Sequence, residues 1–250
     1  MRLQVSSILL VAAALSFSSC ATRIQGLTKS ADFTYPNVKS GKLVVGGVTS
    51  VNGDVDYRKG MSLSNALKTQ IVEEREDLSV THAGMVAKSL GKEAYASILS
   101  SIENEGSLSP AQVEMLSAKI QGRRFLVFSK IENDQTNQNR RQIDKTDSNG
   151  NATGESEMVS STSRSVDVSF LVYDLMKKEI AWSGTVNKRD TKESKFSVKK
   201  DSGLVSLVKA IKGTEERSTE DLYPYPEAPG QQPLLVRAFR GFAENLPEED

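Results

Sequence analysis

The stretch VSFLVYDLMKKEIAWSGTV, residues 168–186, sets the fold. Val166, just upstream, and Val168, Phe170 and Val172 fall on alternate positions, the period of a strand with one buried face. Met176-Lys177-Lys178 interrupts the pattern, and apolar residues resume at Ile180, Ala181 and Trp182. Two strands, about 163–175 and 179–189, therefore form a hairpin. A lone hairpin is unstable in water, so the rest of the chain must supply neighbouring strands and a cover.

Two further segments qualify as strands. KLVVGGVTSV (42–51) is an almost continuous β-branched run, as expected of a strand covered on both faces, and RRFLVFSKI (123–131) is its equal. Gly46-Gly47 marks a bulge or a close backbone approach. Neither the GxGxxG spacing nor a GxxxxGK phosphate loop is present, so these glycines read as structural. Helices are predicted over Ser62–Glu76 (Leu63, Ala66, Leu67 and Ile71 on one side) and Lys92–Glu103 (Tyr95, Ile98, Leu99, Ile102). Leu78–Thr81 reads as a short strand between them. A further helix opens at Ser109-Pro110, an N-cap followed by proline in the first turn, and Gly122 follows its end. Residues 133–160 are rich in Asn, Asp, Ser and Thr and contain no aromatic residue; they read as a long polar loop. A short helix is expected at Leu204–Ile211. Pro224, Pro226, Pro229 and Pro233 then enforce an extended, surface-hugging connector. The closing segment PLLVRAFRGFAENL places Leu234, Leu235, Ala238, Phe239, Phe242 and Ala243 on one helical stripe, which should dock on its own domain. The expectation is an α+β or α/β fold over residues 42–190: a single mixed sheet of about four to five strands packed by helices, with a C-terminal docking helix contributed by residues 191–250.

Composition removes several classes of function. Basic and acidic residues balance at 32 each, and removing residues 1–19 takes away only Arg2. No global field would draw nucleic acid. After the amino terminus no apolar run approaches the roughly 20 residues of a membrane span. A single cysteine forms no internal disulfide, and no CxxC or Cys/His cluster offers a metal or cofactor site.

That cysteine, Cys20, ends the segment MRLQVSSILLVAAALSFSSC. One positive side chain, an apolar core from Ile8 to Leu15 and the small residues Ser18-Ser19 are the three parts of a secretory signal. Followed by cysteine, the pattern resembles the bacterial lipoprotein signal. The resemblance implies cleavage before Cys20, a diacylglyceryl group on its sulfur and an acylated amino group. Ala21, in place of an aspartate, implies transport to the outer membrane; a body facing the periplasm is the expectation there, with a surface-exposed one the alternative. Several acyl chains make such an anchor permanent. Residues 20–41 then read as a tether, about 25 Å long as a flexible coil. The sequon Asn151-Ala152-Thr153 carries no meaning in that setting.

Catalytic candidates are few. His82, the only histidine, follows a strand and is a general-base candidate, although a strand-end surface histidine is the simpler reading. Asp54 and Asp56, with Glu73, Glu74, Glu76 and Asp77, would supply paired carboxylates if they met; a solvated helix end explains the last four equally well. Arg123-Arg124 and Arg140-Arg141 suit phosphate or wall-polymer binding, or a solvated face. Glu248–Asp250 reads as a frayed end.

The order of elements, with Val172-Tyr173-Asp174 ending one strand and Trp182 in the next, resembles a bacterial lipoprotein superfamily. It includes the curli secretion lipoprotein and the outer-membrane activator lipoprotein of penicillin-binding proteins; the amino-terminal domain of the Tol-system propeller protein shares the architecture. The resemblance spans about residues 42–190 and implies no shared catalytic set. A pore like that of the curli lipoprotein requires strands of about ten alternating apolar residues. Residues 133–160 and 187–200 have no such alternation, so a pore of that kind is excluded. The expectation is thus a non-enzymatic, lipid-anchored protein-binding module with an envelope protein as partner. An envelope hydrolase is the second reading, and a homo-oligomeric ring around a larger channel the third.

Overall fold

A computed structural model describes residues 22–198 and 222–249. The signal segment, Cys20 and the helix expected at Leu204–Ile211 lie outside the described residues. The element order is β1 (Ile24–Lys29), α1 (Tyr35–Gly41), β2 (Leu43–Ser50), α2 (Tyr57–Glu74), β3 (Val80–Thr81), α3 (Ala83–Leu90), α4 (Lys92–Glu105) and α5 (Pro110–Lys119). After these come β4 (Phe125–Thr146), β5 (Ala152–Asp174), β6 (Glu179–Val198) and the terminal helix α6 (Gln231–Ala243).

One mixed sheet of six strands runs β1-β6-β5-β4-β2-β3, so the expected mixed α/β class holds and the strand count was low. β2 lies parallel to β3 and β4, while β4, β5, β6 and β1 are antiparallel in turn. Every residue of β2 is buried, because helices cover both of its faces. On one face Val45, Val127, Phe170 and Trp182 pack under α2 and α6. On the other, Val44, Leu126, Phe128 and Tyr173 pack under α3, α4 and α5.

The terminal helix docks in cis, as its stripe requires. Phe242 stacks on Phe170 with ring centroids 4.5 Å apart and meets Trp182 edge-on at 5.1 Å. α5 starts with a complete capping box in which Ser109 and Gln112 satisfy each other's backbone amides. The 168–186 hairpin turn is fixed by Asp174. Its carboxylate is wholly buried, pairs with Arg124 at 2.6 Å, and accepts hydrogen bonds from the amides of Met176 and Lys177. Gly46 and Gly47 admit close neighbours. A Cβ on Gly46 would lie 2.5 Å from the Phe128 ring, and one on Gly47 2.5 Å from Leu99.

Two readings are overturned. The stretch taken as a tether is part of the fold: β1 pairs with β6, and α1 buries Val38 beside Phe33. The stretch taken as a polar loop is the continuation of two strands. β4 and β5 run 22 and 23 residues, stay paired to Thr146 and Ala152, and turn only at Asp147–Asn151. β6 follows β5 out to Val198, past the strand end expected near residue 189. These three strands form a wing that leaves the helix-covered body at Glu132. There Ile131 faces Val168 and Asn133 faces Asp167, so Glu132 is an extra residue, a β-bulge. From Asn133 to the tip the wing extends about 45 Å.

Candidate functional site

The residues picked out for catalysis do not converge. His82 is the exposed N-cap of α3, and its ring makes no hydrogen bond to an acid or hydroxyl among the described residues. Asp56 caps α2, accepting from the Lys59 amide at 2.7 Å, and Asp54 pairs with the Lys59 ammonium at 2.8 Å. That bond, with one from Ser50, holds the Asp54 carboxyl below its usual range. Glu73, Glu74 and Asp77 sit at the other end of the same helix, about 27 Å away. Glu73 accepts from Gln70, and Glu74 pairs with Arg240 of α6 at 2.9 Å. Asp77 is held below its usual range first by its hydrogen bond from Arg75. Arg75 is itself buried and donates to the carbonyls of Leu246 and Pro247, which fixes the end of the chain. Glu73, Glu76 and Asp77 are exposed, as expected of a solvated helix end, while the buried Arg75 beneath them clasps the segment at Leu246-Pro247.

The arginine pairs are likewise occupied. Arg124 belongs to the buried pair with Asp174, and Arg123 donates to Thr81. Arg141 meets Glu193 across the wing. Arg140 donates to the Tyr223 carbonyl at 2.9 Å and lies 4.3 Å from the centre of the Tyr225 ring. Residues 222–230, the described part of the proline-rich connector, run as an extended strap along this face of the wing. Ser160 also donates to the Tyr223 carbonyl, Phe196 meets the Tyr223 ring at 5.8 Å, and Gln231 donates to Asp134. Asp134 further pairs with Arg164, whose pKa that contact raises.

With the register known, the wing can be tested face by face. Asn137, Asn139 and Arg141 share one face of β4, and Gln138, Arg140 and Gln142 the other. Neither is an apolar row, so a lipid-facing wing would bury charge on both sides.

Two features remain. The first is the seam at the amino terminus. Thr22 donates to Glu244, accepts from the Lys188 ammonium, and its carbonyl accepts from Asn245 at 3.3 Å. The seam thus fixes Thr22, two residues after Cys20 in the sequence, at the base of the wing. The second is a groove between the start of α2, the end of β2 and α4. Its volume is about 240 Å³, with Val48, Val55, Met61 and Leu99 among its walls and Lys92 and Glu103 at its ends. Tyr95 forms part of the floor and donates to the Gly46 carbonyl at 2.9 Å; burial pushes its hydroxyl pKa up. Tyr57 is 62% exposed and meets Tyr95 edge-on. Thr49 also lines the groove. It is 4% exposed, and its hydroxyl has no partner among the described residues. The sequence offered little sign of this groove, because Thr49 and Tyr57 look like ordinary strand-end and helix-start residues.

No family model matches the chain, and no curated protein matches it. Among solved structures it is similar to a PelC dodecamer from Paraburkholderia phytofirmans, with 12% identity, 88% of this chain and 96% of that one covered, and a TM-score of 0.35. It is similar to lipoprotein GNA1162 from Neisseria meningitidis, with 14% identity, 68% and 94% covered, and a TM-score of 0.37. A third is the LpoB C-terminal domain from Salmonella enterica, with 10% identity, 60% and 82% covered, and a TM-score of 0.33. At TM-scores below 0.5 these likenesses settle nothing about what the chain does.

Proposed function

We propose that this chain is a non-enzymatic lipoprotein of the bacterial outer membrane. In this reading its wing binds an envelope protein in assembly, secretion or wall regulation. The observation that carries this reading is the distance between seam and anchor. Cys20, with its lipoprotein-type signal, precedes the fixed Thr22 by two residues, at most about 7 Å of chain. An acylated Cys20 would hold the base of the wing at the bilayer surface, and the partner would be one that reaches that surface. The dispersal of His82, the carboxylates and the arginines into structural contacts favours binding over hydrolysis.

The test is a photo-cross-linking side chain placed at Ile143, 42% exposed on the wing, and at Met176, 73% exposed on the turn at the opposite end of the sheet. A specific protein adduct in cells from Ile143 and not from Met176 is expected. Equal or absent adducts at both positions would overturn the wing as the contact surface. In parallel, Cys20→Ser should abolish labelling by a palmitate analogue and release the protein to the aqueous fraction.

A further inference from the structure

β6 leaves the body with one edge open. β1 pairs with it only between Trp182 and Val186, and among the described residues no strand lies on that side from there to Val198. Thr191, Lys192, Glu193, Lys195 and Ser197 are exposed. Such an edge is a template for another strand, and lysines on it ordinarily deter pairing. On β6 the charges deter every pairing with a second copy of the same edge except one. Two copies of an edge meet antiparallel about a two-fold axis normal to the sheet. Side chains then keep to their own face, so the axis must pass through a residue that lies opposite its own copy. An axis at Lys192, Glu193 or Lys195 sets like charges directly against each other, which is destabilising. At Thr191 or any residue before it, the second strand overruns β1, where Ile24 already pairs with Val186. At Phe196 or beyond, five residues or fewer are paired and no opposite charges meet. Ser194 remains. In that register Glu193 faces Lys195 of the second copy and Lys195 faces its Glu193, while Lys192 comes beside the Phe196 ring. Glu193 already accepts from Arg141 at 3.1 Å, and a carboxylate has room for a second donor.

We propose that the β6 edge from Thr191 to Ser197 pairs with a second copy of itself, centred on Ser194, to give a two-fold dimer in which the two wings form one continuous sheet. The backbone ladder supplies the attraction, and the two Glu193–Lys195 pairs fix the register. An axis normal to the sheet keeps both copies of Thr22 on the same side of it, so lipid anchors at the two Cys20 residues enter one bilayer. Thr22 bonds to Lys188, six residues from the axis, which sets the two seams about 40 Å apart along the strands.

The test uses the full chain in detergent. Sedimentation should give a dimer, and Ser194→Cys should lock it through a disulfide under mild oxidation. Ser197→Cys, about 20 Å from its own copy, should not cross-link. Wild type, whose one cysteine is Cys20, is the control. Glu193→Lys and Lys195→Glu should each weaken the dimer at least about tenfold by setting like charges opposite. An equimolar mixture of the two variants should regain wild-type affinity as a mixed dimer, because each then meets the opposite charge. Mixing would not rescue a variant that had merely misfolded. A monomer at every concentration, an assembly larger than a dimer, equal cross-linking of Ser194→Cys and Ser197→Cys, or no gain on mixing would each overturn the proposal. The dimer does not require the wing to bind an envelope protein. Ile143, the position that tests such binding, lies on β4 at the opposite edge of the wing, and its adducts would survive any of these failures.

Discussion

The body and the wing are made from the same three strands, yet they are held by different forces. Up to the bulge at Glu132, β4, β5 and β6 carry Phe125, Val127, Phe170, Val172 and Trp182 into a core closed by α2 and α6. Beyond it the same strands carry mainly Asn, Gln, Ser, Thr and charged residues, with Val166 still in the core and Val159 buried, and their order rests largely on backbone pairing, cross-strand pairs such as Arg141–Glu193, and the strap at Tyr223. Burial supplies most of the stability of the body. The wing draws on contacts worth about 1 kcal/mol or less each, and it should open locally well before the body unfolds. One sheet thus joins a rigid foundation to a compliant arm, and the bulge marks the border.

This contrast can be broken most sharply from the body side. Phe242→Ala removes the ring stacked between Phe170 and Trp182 and should cost about 4 kcal/mol in denaturant unfolding. A loss below 1 kcal/mol would mean that α6 is not part of the core. Asp174→Ala leaves Arg124 unpaired and two turn amides without an acceptor, for an expected loss of about 3 kcal/mol. On the wing, Arg140→Ala frees the strap and should cost only about 1 kcal/mol globally. Its signature is faster amide exchange near Ser160, with body amides unchanged; faster exchange in β2 as well would erase the border proposed at Glu132.

The smallest effect is in pH. Asp77 has its folded pKa lowered by Arg75, so its contribution is present above the unfolded value near 4 and disappears as pH falls through the folded value. Wild type should therefore lose stability below about pH 4 more steeply than Asp77→Asn. Equal slopes in the two proteins would show that the clasp on the carboxyl terminus does not depend on this charge.

The sequence disclosed the body and hid the wing for the same reason. A strand that buries one face must alternate, and one that buries both must be apolar, so 163–175, 42–51 and 123–131 stood out. In the wing β4 is an edge strand that faces no deep core on either side, so no burial constraint writes a period into QTNQNRRQ (135–142), and a paired strand looks like a loop. β1 was missed similarly: only Ile24 of IQGLTK is better than exposed, and its place is set by the ladder with β6. α3 is eight residues with two buried side chains, too short for a stripe to show. The caps of α5 and the apolar face of α6 depend on local chemistry and were legible without any neighbour. The groove was not, because Thr49 becomes unusual only once α2 and α4 enclose it.

The Thr22 seam ties together two distant parts of the sequence, since its partner Glu244 lies 222 residues away and Asn245 follows it. Phe239 and Phe242, which complete the core, come from that same final stretch. The core therefore cannot close on local contacts alone, because its plug has to be brought onto β5 and β6 from a distant part of the sequence. Formation of the sheet and completion of its cover are in this way separate events, set by the order of the residues themselves.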